Sequence, residues 1–380
     1  MVDAALSVAP AHVPFLDLGP QHRPLQAQLL AEIDQLVESG AFTNGPAVAA
    51  FEDAFANYCG TAYCVGTASG LDALRIALTG LGVGPGDEVV VPALTFVATL
   101  EAVTQTGARP VLADVNDDDY TMDPDAARAA IGPKTRALMP VHLYGQLADV
   151  RALRALALTS DVALVEDACQ AHGARRDGFR AGGVGDAAAF SFYPAKNLGA
   201  FGDAGALVTG DAGLVRAARS LREHGQVAKY SHEREGWTAR LDTLQALVLL
   251  HKLPLLDDWN GQRRVAARYY SEVLEGVGDL TLPHVPPGSE PVYHLYEIRT
   301  VDPDDLAAFL RSRGITTGRH YPEPPHLTQA YGWLGHSPGA FPVAEALARE
   351  LLSLPLYPGI AEEQLAAVVD AIGDYFRRGS

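Results

Sequence analysis

The sequence predicts an α/β protein with a large domain, built on a mixed, mainly parallel seven-stranded sheet, and a smaller C-terminal α+β domain. Between about residues 60 and 210, short apolar β-rich runs alternate with helical segments. Strands that are apolar on both faces are typical of a parallel sheet covered by helices. Beyond residue 240 the alternation stops, and long helical segments at 241–256 and 263–277 replace it. We therefore expect an N-terminal arm at 1–24, a large domain at 25–254 and a small domain at 255–380.

Each predicted sheet strand is a short apolar run. The seven strands are expected at 62–66, 88–91, 110–115, 137–141, 163–165, 187–192 and 206–209, with helices at 71–78, 95–106, 149–158 and 212–223. Pro254 should break or kink the first long helix, at 241–256. In the small domain, a strand in HLYEIRTV, a helix at 303–313 and two closing helices are expected. Ligands of such open sheets bind beyond the carboxyl ends of the strands, where Phe96, Asp167 and Ser191 are expected.

Composition limits the classes of function. The chain has 380 residues, of which 48% are apolar, enough for one large and one smaller domain. Lys and Arg total 29 against 46 Asp and Glu, and the formal charge of −17 argues against a nucleic-acid or anionic-membrane partner. The three cysteines lack disulfide-like spacing, so a reduced, cytoplasmic setting is expected. No signal peptide is expected in the first residues, and no run approaches the roughly 20 apolar residues of a membrane span.

Lys196 lies in the most informative stretch, SFYPAKNLGAFGDAG, directly after an apolar run. Burial and nearby positive charge lower a lysine pKa, and only the neutral amine attacks a carbonyl. Asp167 ends another apolar strand in ALVEDACQAHGA. An acid there can pair with the protonated ring nitrogen of pyridoxal phosphate (PLP). The alternatives are a surface lysine and an ordinary helix N-cap.

Further candidates for cofactor binding occur in the expected order. Ser69, Gly70 and Leu71 open an apolar helix in an S-x-x-D pattern, and such a helix start can hold a phosphate or be a simple capped helix. Phe96 can stack on a flat ring or pack in the core. Ser191 can offer its hydroxyl to the phosphate or be an inward strand serine.

Three residues near the lysine and the acid complete the candidate site. Gln170 can hydrogen-bond the phenolic oxygen of the cofactor, or be a solvated helix residue. His172 can lie near the reacting carbon as a catalytic group, or be half-buried without a role. Tyr193 can contact substrate or lie at the sheet edge. No metal-ligand spacing, nucleophile elbow or Walker-type loop competes with this interpretation, so no metal is expected.

From about residue 15 to 377 the chain resembles the DegT/DnrJ/EryC1/StrS family of PLP-dependent sugar aminotransferases. The resemblance is carried by ordered motifs that include GTASGLDAL, GPGDEVVVPALTFVAT, PVHLYGQLADV, VEDACQAHGA, AFSFYPAKNLGAFGDAGALVT and RLDTLQA. It implies a fold-type I transferase that works as a homodimer with active sites shared at the subunit interface.

The resemblance also implies residue roles. Lys196 would bond covalently to PLP and then shuttle the proton, and Asp167 would pair with the ring nitrogen. Gln170 would bind the ring hydroxyl and Phe96 would stack. The phosphate-binding positions match Ser69, Gly70, Leu71 and Ser191. Family members that became sugar dehydratases have histidine in place of this lysine, so Lys196 favours transamination.

One position departs from the family. The usual G-x-N-x-R motif provides an asparagine that reaches the phosphate of the partner subunit, whereas GWTAR has Thr238 there. A threonine is shorter and would need a closer approach or a bridging water. The sequence therefore does not decide whether Thr238 contacts the phosphate across the subunit interface.

The motif around the lysine resembles the branch that aminates C3 of keto nucleotide sugars. The expected reaction transfers an amino group from L-glutamate to a dTDP-3-keto-deoxyhexose, for amino sugars of natural products such as antibiotics or of surface glycans. Alternatives are a C4 sugar or cyclitol aminotransferase and a PLP-binding regulator without turnover. Expected substrate contacts, each with plain loop structure as its alternative, are Tyr193, His320, Tyr321 and His326.

Overall fold

The computed structural model describes residues 12–378, so residues 1–11 of the expected N-terminal arm and the last two residues lie outside the described part. The strands are β1 Tyr63–Thr67, β2 Glu88–Pro92, β3 Arg109–Ala113, β4 Thr135–Leu138, β5 Ala163–Asp167, β6 Arg175–Arg176, β7 Phe179–Arg180, β8 Ala187–Ser191, β9 Gly205–Thr209, β10 Gln226–Ala228, β11 Ser231–His232, β12 Ser289–Glu290, β13 Tyr296–Arg299 and β14 Leu351–Leu354.

The helices are α1 Gly19–His22, α2 Gln26–Ser39, α3 Pro46–Cys59, α4 Gly70–Gly80, α5 Ala98–Thr104, α6 Pro124–Ala130, α7 Val150–Ser160, α8 Ala212–Leu221, α9 Thr243–Lys252, α10 Leu256–Leu274, α11 Pro303–Ser312, α12 Pro342–Glu350 and α13 Glu362–Arg377. Short 3-10 turns occur at Arg23–Leu25, Leu143–Gly145, Leu253–Leu255, Pro325–Leu327 and Gln329–Leu334.

A seven-stranded sheet forms the large domain, in the order β1-β9-β8-β5-β4-β2-β3. Strands β3, β2, β4, β5 and β8 are parallel, whereas β9 runs antiparallel to both of its neighbours. Val65, Val90, Val165 and Ala189 are fully buried, as expected for strands covered by helices on both faces. All seven predicted strands and the mixed, mainly parallel α/β fold are confirmed.

The backbones of β9 and α4 approach each other closely at one end of the sheet. A Cβ atom added to Gly205 would lie 2.3 Å from the carbonyl carbon and oxygen of Ser69, so only glycine fits this position. This contact packs the start of α4 against the strands that carry the candidate site.

The antiparallel pair β13–β14 packs against α10, α11 and α13 in a second apolar cluster. Pro254 lies in the 3-10 turn between α9 and α10 and breaks the helix there, as predicted. Val13, in the arm, is fully buried and pairs with Ile315. The division of the chain at residues 24 and 254 stays a prediction, and β14, α2 and α3 are elements that the pattern analysis did not predict.

Within residues 12–378, no helix combines the length and the hydropathy that crossing a bilayer requires.

Candidate active site

The carboxyl ends of two central strands meet the start of α4. Asp167 ends β5 and Ser191 ends β8. A Cβ atom added to Gly70 would lie 2.7 Å from the Cys169 sulfur and 2.8 Å from the Ser191 Cβ. The helix start, the strand-end serine and the segment after Asp167 are therefore in direct contact, as the strand-end rule predicts.

The start of α4 has the geometry of a capped helix. Ser69 is in an extended conformation, and its hydroxyl oxygen accepts a hydrogen bond from the Asp72 amide at 3.0 Å. Gly70 is buried and Leu71 packs partly against the main core. A helix N-terminus attracts anions through its amides and dipole. A phosphate group at this point would meet the first amides of α4 and the adjacent Ser191, which together form an anion cradle.

Asp167 is only 5% exposed, and both of its carboxylate oxygens accept hydrogen bonds. Thr99 donates its hydroxyl to Oδ2 at 2.8 Å, and the Cys169 amide donates to Oδ1 at 3.2 Å. The Thr99 hydroxyl oxygen also lies 2.8 Å from that of Thr95. Thr99, on α5, is a residue that the sequence analysis missed. Its contacts hold the carboxylate in one orientation, as a partner for a ring nitrogen requires.

Lys196 lies in the turn after β8, where its amide donates to the Tyr193 carbonyl at 2.8 Å. The side chain is partly exposed, but its amine is enclosed enough that burial lowers the pKa of Lys196, with Cys169 and Asp167 acting in the opposite direction. The amine nitrogen lies 3.5 Å from Nε2 of His294. Burial therefore gives Lys196 the lowered pKa that an amine nucleophile needs, while the nearby Asp167 works against this lowering.

Gln170 connects two loops at the site. Its Oε1 accepts a hydrogen bond from the Tyr144 amide at 2.7 Å, and its Nε2 donates to the Tyr321 hydroxyl at 3.1 Å. Gln170 is buried, which excludes the solvated alternative. The ring centroids of Phe96 and Tyr321 are 5.4 Å apart, and Phe96 is 50% exposed rather than a core residue. The structure thus brings Gln170, Phe96 and Tyr321 together.

His172 is fully buried, with its ring 5.4 Å from that of Phe190 and 5.6 Å from that of Phe192. The Ser191 backbone is close to the ring, but neither ring nitrogen forms a hydrogen bond of normal geometry within the described chain. Burial and then the nearby Lys196 lower the pKa of His172 to about 3. The imidazole is neutral at physiological pH, and its proposed catalytic role stays a prediction.

The expected substrate contacts have different surroundings. Tyr193 is 55% exposed in the turn that carries Lys196. Nδ1 of His320 lies 2.6 Å from the Ser353 hydroxyl, and burial lowers the pKa of His320 to about 4. His320 also lines a cavity of about 80 Å³ together with Ala195 and His294.

His326 and Thr238 lie in contacts of their own. His326 is buried with Nε2 3.2 Å from Glu345 Oε1, and its ring packs on Phe341. These contacts favour the loop-structure alternative for His326. Thr238 is exposed and its hydroxyl lies 3.0 Å from Nε2 of His224. The structure describes one subunit, so a phosphate contact from Thr238 across a dimer stays a prediction.

A larger cavity of about 600 Å³ lies between α3 and α8, lined by Glu52, Arg219 and Arg222 among others. None of the predicted site residues lines it, so its size does not indicate the catalytic centre. Among residues 12–378 no cluster of three or more His, Cys, Asp or Glu side chains could hold a metal ion.

Fold and site together define an α/β enzyme with a lysine–carboxylate pair suited to an aldehyde cofactor. The chain belongs to the DegT/DnrJ/EryC1/StrS aminotransferase family, whose model matches residues 24–373. It is therefore a PLP-dependent aminotransferase, and the lysine, the held carboxylate and the anion cradle fit that cofactor.

Two relatives and one solved structure illustrate the match. The chain is 48% identical over 366 residues to a Streptomyces venezuelae protein named dTDP-3-amino-3,4,6-trideoxy-alpha-D-glucose transaminase, covering 96% of this chain and 97% of that one. It is also 48% identical to the erythromycin biosynthesis sensory transduction protein EryC1 of Saccharopolyspora erythraea, covering 94% and 98%. The crystal structure of S. venezuelae DesV in complex with a ketimine intermediate superposes with a TM-score of 0.94 at 48% identity, covering 97% and 99%.

Proposed function

We propose that the protein transfers an amino group from L-glutamate to a nucleotide-linked 3-keto-deoxyhexose, with dTDP as the nucleotide, in two half-reactions at one site. The observation that carries this proposal is the pairing of Lys196, whose amine has a lowered pKa, with Asp167, whose carboxylate is held by two hydrogen bonds. The name of the Streptomyces venezuelae relative supports a dTDP sugar and the C3 position.

When bound, PLP supplies an aldehyde that condenses with amines and a ring that accepts an electron pair. Lys196 Nζ would take the proton from Cα of the amino donor and return it to the carbon that began as the cofactor aldehyde. Asp167 would hold a proton on the ring nitrogen, while the Gly70 helix start and Ser191 would bind the phosphate. In the second half-reaction the same groups would act in reverse on the sugar ketone.

The small-domain side of the site would recognise the sugar. Tyr321 and His320 are expected at this surface, and both are uncharged at neutral pH, because burial raises the pKa of the tyrosine and lowers that of the histidine. Neutral hydroxyl and imidazole groups suit sugar hydroxyls, which are themselves neutral donors and acceptors.

The active form is expected to be a homodimer with shared sites. Helix α2 exposes Leu30 at 58% and Val37 at 61%, and the nearby Phe42 is 51% exposed. Exposed apolar side chains grouped in this way are typical of an interface. The cysteines are free thiols, which supports a reducing, cytoplasmic setting.

A regulator that binds PLP without turnover is the second candidate, since one relative is named as a sensory transduction protein. A regulator does not need an amine poised for proton transfer beside the ring-nitrogen acid. Lys196 and Asp167 favour the enzyme.

The test is an incubation of the purified protein with PLP, glutamate and a panel of dTDP- and UDP-linked 3-keto and 4-keto sugars and keto-inositols, with products identified by mass. We expect amination of a dTDP-3-keto sugar. Turnover of only 4-keto sugars or keto-inositols would contradict the substrate assignment. Failure of glutamate to bleach the cofactor band would contradict the donor assignment and favour the regulator.

A further inference from the structure

His294 lies beside the catalytic lysine although it comes from the segment that leads into β13. Its Nε2 is 3.5 Å from the Lys196 amine nitrogen. This contact joins the two domains at the atom that moves the proton. The protonation of the imidazole decides what the contact can do, and a chain of hydrogen bonds determines it.

That series of hydrogen bonds begins at the backbone carbonyls of His172 and Val292, which can only accept. Asn260 Nδ2 donates to the His172 carbonyl at 2.8 Å, so Asn260 presents its Oδ1 to Asn197. Asn197 Nδ2 donates to that oxygen at 2.8 Å and to the Val292 carbonyl at 2.9 Å. Both protons of the Asn197 amide are then used, and its Oδ1 can only accept.

The group that faces Asn197 Oδ1 is Nδ1 of His294, at 3.3 Å. Nδ1 must therefore carry a proton. Burial, followed by the nearby Lys196 and Arg263, lowers the pKa of His294 well below its ordinary value. A neutral ring with a proton on Nδ1 has a bare Nε2. This bare nitrogen faces the lysine amine and can only accept a hydrogen bond from it.

The backbone of His294 is also held. Arg263 is 2% exposed, and its Nη1 donates to the carbonyls of Tyr293, His294 and Leu356 at 3.1, 3.3 and 2.9 Å. A buried guanidinium that binds three carbonyls fixes the segment in place. The acceptor therefore has a defined position as well as a defined tautomer.

We propose that His294 is a positioning residue for Lys196. Nε2 of His294 accepts a hydrogen bond from the lysine amine whenever that amine is free of the cofactor. The bond directs the amine and stabilises it while it carries the proton taken from the substrate, because hydrogen bonds from charged donors are the stronger ones. This inference rests on the proposed aminotransferase cycle. The charged or titratable groups around the pair are Asp167, Cys169, Arg263, His172 and His320.

Two substitutions separate this role from a structural one. His294→Asn can keep the bond to Asn197, because its amide nitrogen replaces Nδ1, but it is too short to reach the lysine. His294→Gln places an acceptor oxygen near the position of Nε2. His284→Asn, at an exposed histidine, is the matched control.

The first measurement is binding of PLP to the cofactor-free protein as a function of pH, followed by the absorbance of the lysine-bound cofactor. Lys196 can bond to PLP only through its neutral amine. When residue 294 no longer offers an acceptor, the ammonium form of Lys196 is less stable. For His294→Asn we therefore expect the pH at half-capture to fall, and for His294→Gln we expect it to return towards the value of the unaltered protein. This readout does not depend on the amino donor.

The second measurement is the single-turnover rate of cofactor bleaching by saturating glutamate. We expect a roughly 10- to 100-fold fall for His294→Asn, the usual effect of losing a hydrogen bond to a charged group, and recovery of most of that loss in His294→Gln. The KM for glutamate should stay within about 3-fold, since His294 acts through the lysine.

An unchanged capture profile and rate in His294→Asn would overturn the proposal. Equal losses in both variants, with a matching fall in thermal stability, would also overturn it by showing a structural role. If the unaltered protein captures PLP but fails to react with glutamate, the donor assignment is wrong, and the capture profile still decides the role of His294.

Discussion

The two sides of the active site present different groups. One, the charged side, holds the lysine and the carboxylate, and the other, the neutral side, holds two histidines and a tyrosine. The large-domain side carries Asp167, which ends β5 beside β8, and Lys196, which lies in the turn after β8. The small-domain side presents His294, His320 and Tyr321, and each has its pKa shifted towards the neutral form, chiefly by burial. Groups that move protons are thus on one side, and groups that orient and recognise are on the other. Substitutions on the two sides should therefore affect different steps of the reaction.

The largest effect is expected for Lys196→Ala on the charged side. This change removes both the covalent attachment of PLP and the proton carrier, so turnover should fall by at least on the order of 10⁴-fold. The absorbance of the lysine-bound cofactor should disappear as well. Lys229→Ala, at an exposed lysine, is the control and should behave as the unaltered protein. Retained activity in Lys196→Ala would refute the assignment of the charged side.

Asp167→Asn should have the next largest effect. The substitution keeps the shape but removes the charge that holds a proton on the ring nitrogen, so the single-turnover rate should fall on the order of 10²–10⁴-fold. PLP should still bind to Lys196, which absorbance would show. The exposed Asp118→Asn is the matched control. A rate within about 2-fold of the unaltered protein would mean that Asp167 serves only to cap or brace its loop.

Thr99→Val tests whether the carboxylate must be held as well as charged. The loss of the 2.8 Å hydrogen bond to Asp167 should slow the bleaching step roughly 10-fold. Thr99→Ser keeps the hydroxyl and should restore most of the rate. If serine and valine give the same rate, the hydroxyl does not orient the carboxylate.

Tyr321→Phe examines the neutral side. It removes the hydroxyl that accepts from Gln170 at 3.1 Å, so KM for the keto sugar should rise roughly 2- to 10-fold, the effect of one neutral hydrogen bond. The half-reaction with glutamate should change less. An equal loss in both half-reactions would show that the two sides are not separate in function.

The most gradual effects are expected from pH. Neutral buried histidines bind fewer protons in the folded than in the unfolded chain, and the folded pKa values of His172 and His320 are about 3 and about 4. As pH falls below about 6.5, each should reduce the free energy of unfolding by up to about 1.4 kcal/mol per pH unit, until pH reaches the folded pKa. Urea titrations at several pH values measure this slope. His172→Phe should make it shallower, and an unchanged slope would mean that His172 is not neutral in the folded protein.

The sequence was informative where position along a strand determines position in the fold. Asp167 and Ser191 follow apolar strands, and parallel strands bring such residues to one edge, so their convergence with the start of α4 was predictable. Thr99 was missed because a threonine near a helix start has many ordinary roles. His294 was missed because its contact with Lys196 spans 98 residues and depends on how the second domain packs. The predicted phosphate contact of Thr238 would need a second subunit, which no pattern within one chain determines.

The close approach of Gly205 to the Ser69 carbonyl also limits how this enzyme can be redesigned. The contact at that point is between two stretches of main chain, so exchanging side chains cannot relax it, and any larger residue at 205 would displace the helix. Variants with altered substrate range are therefore better sought in the segment around residues 320 and 321, where the wall consists of side chains that can be exchanged.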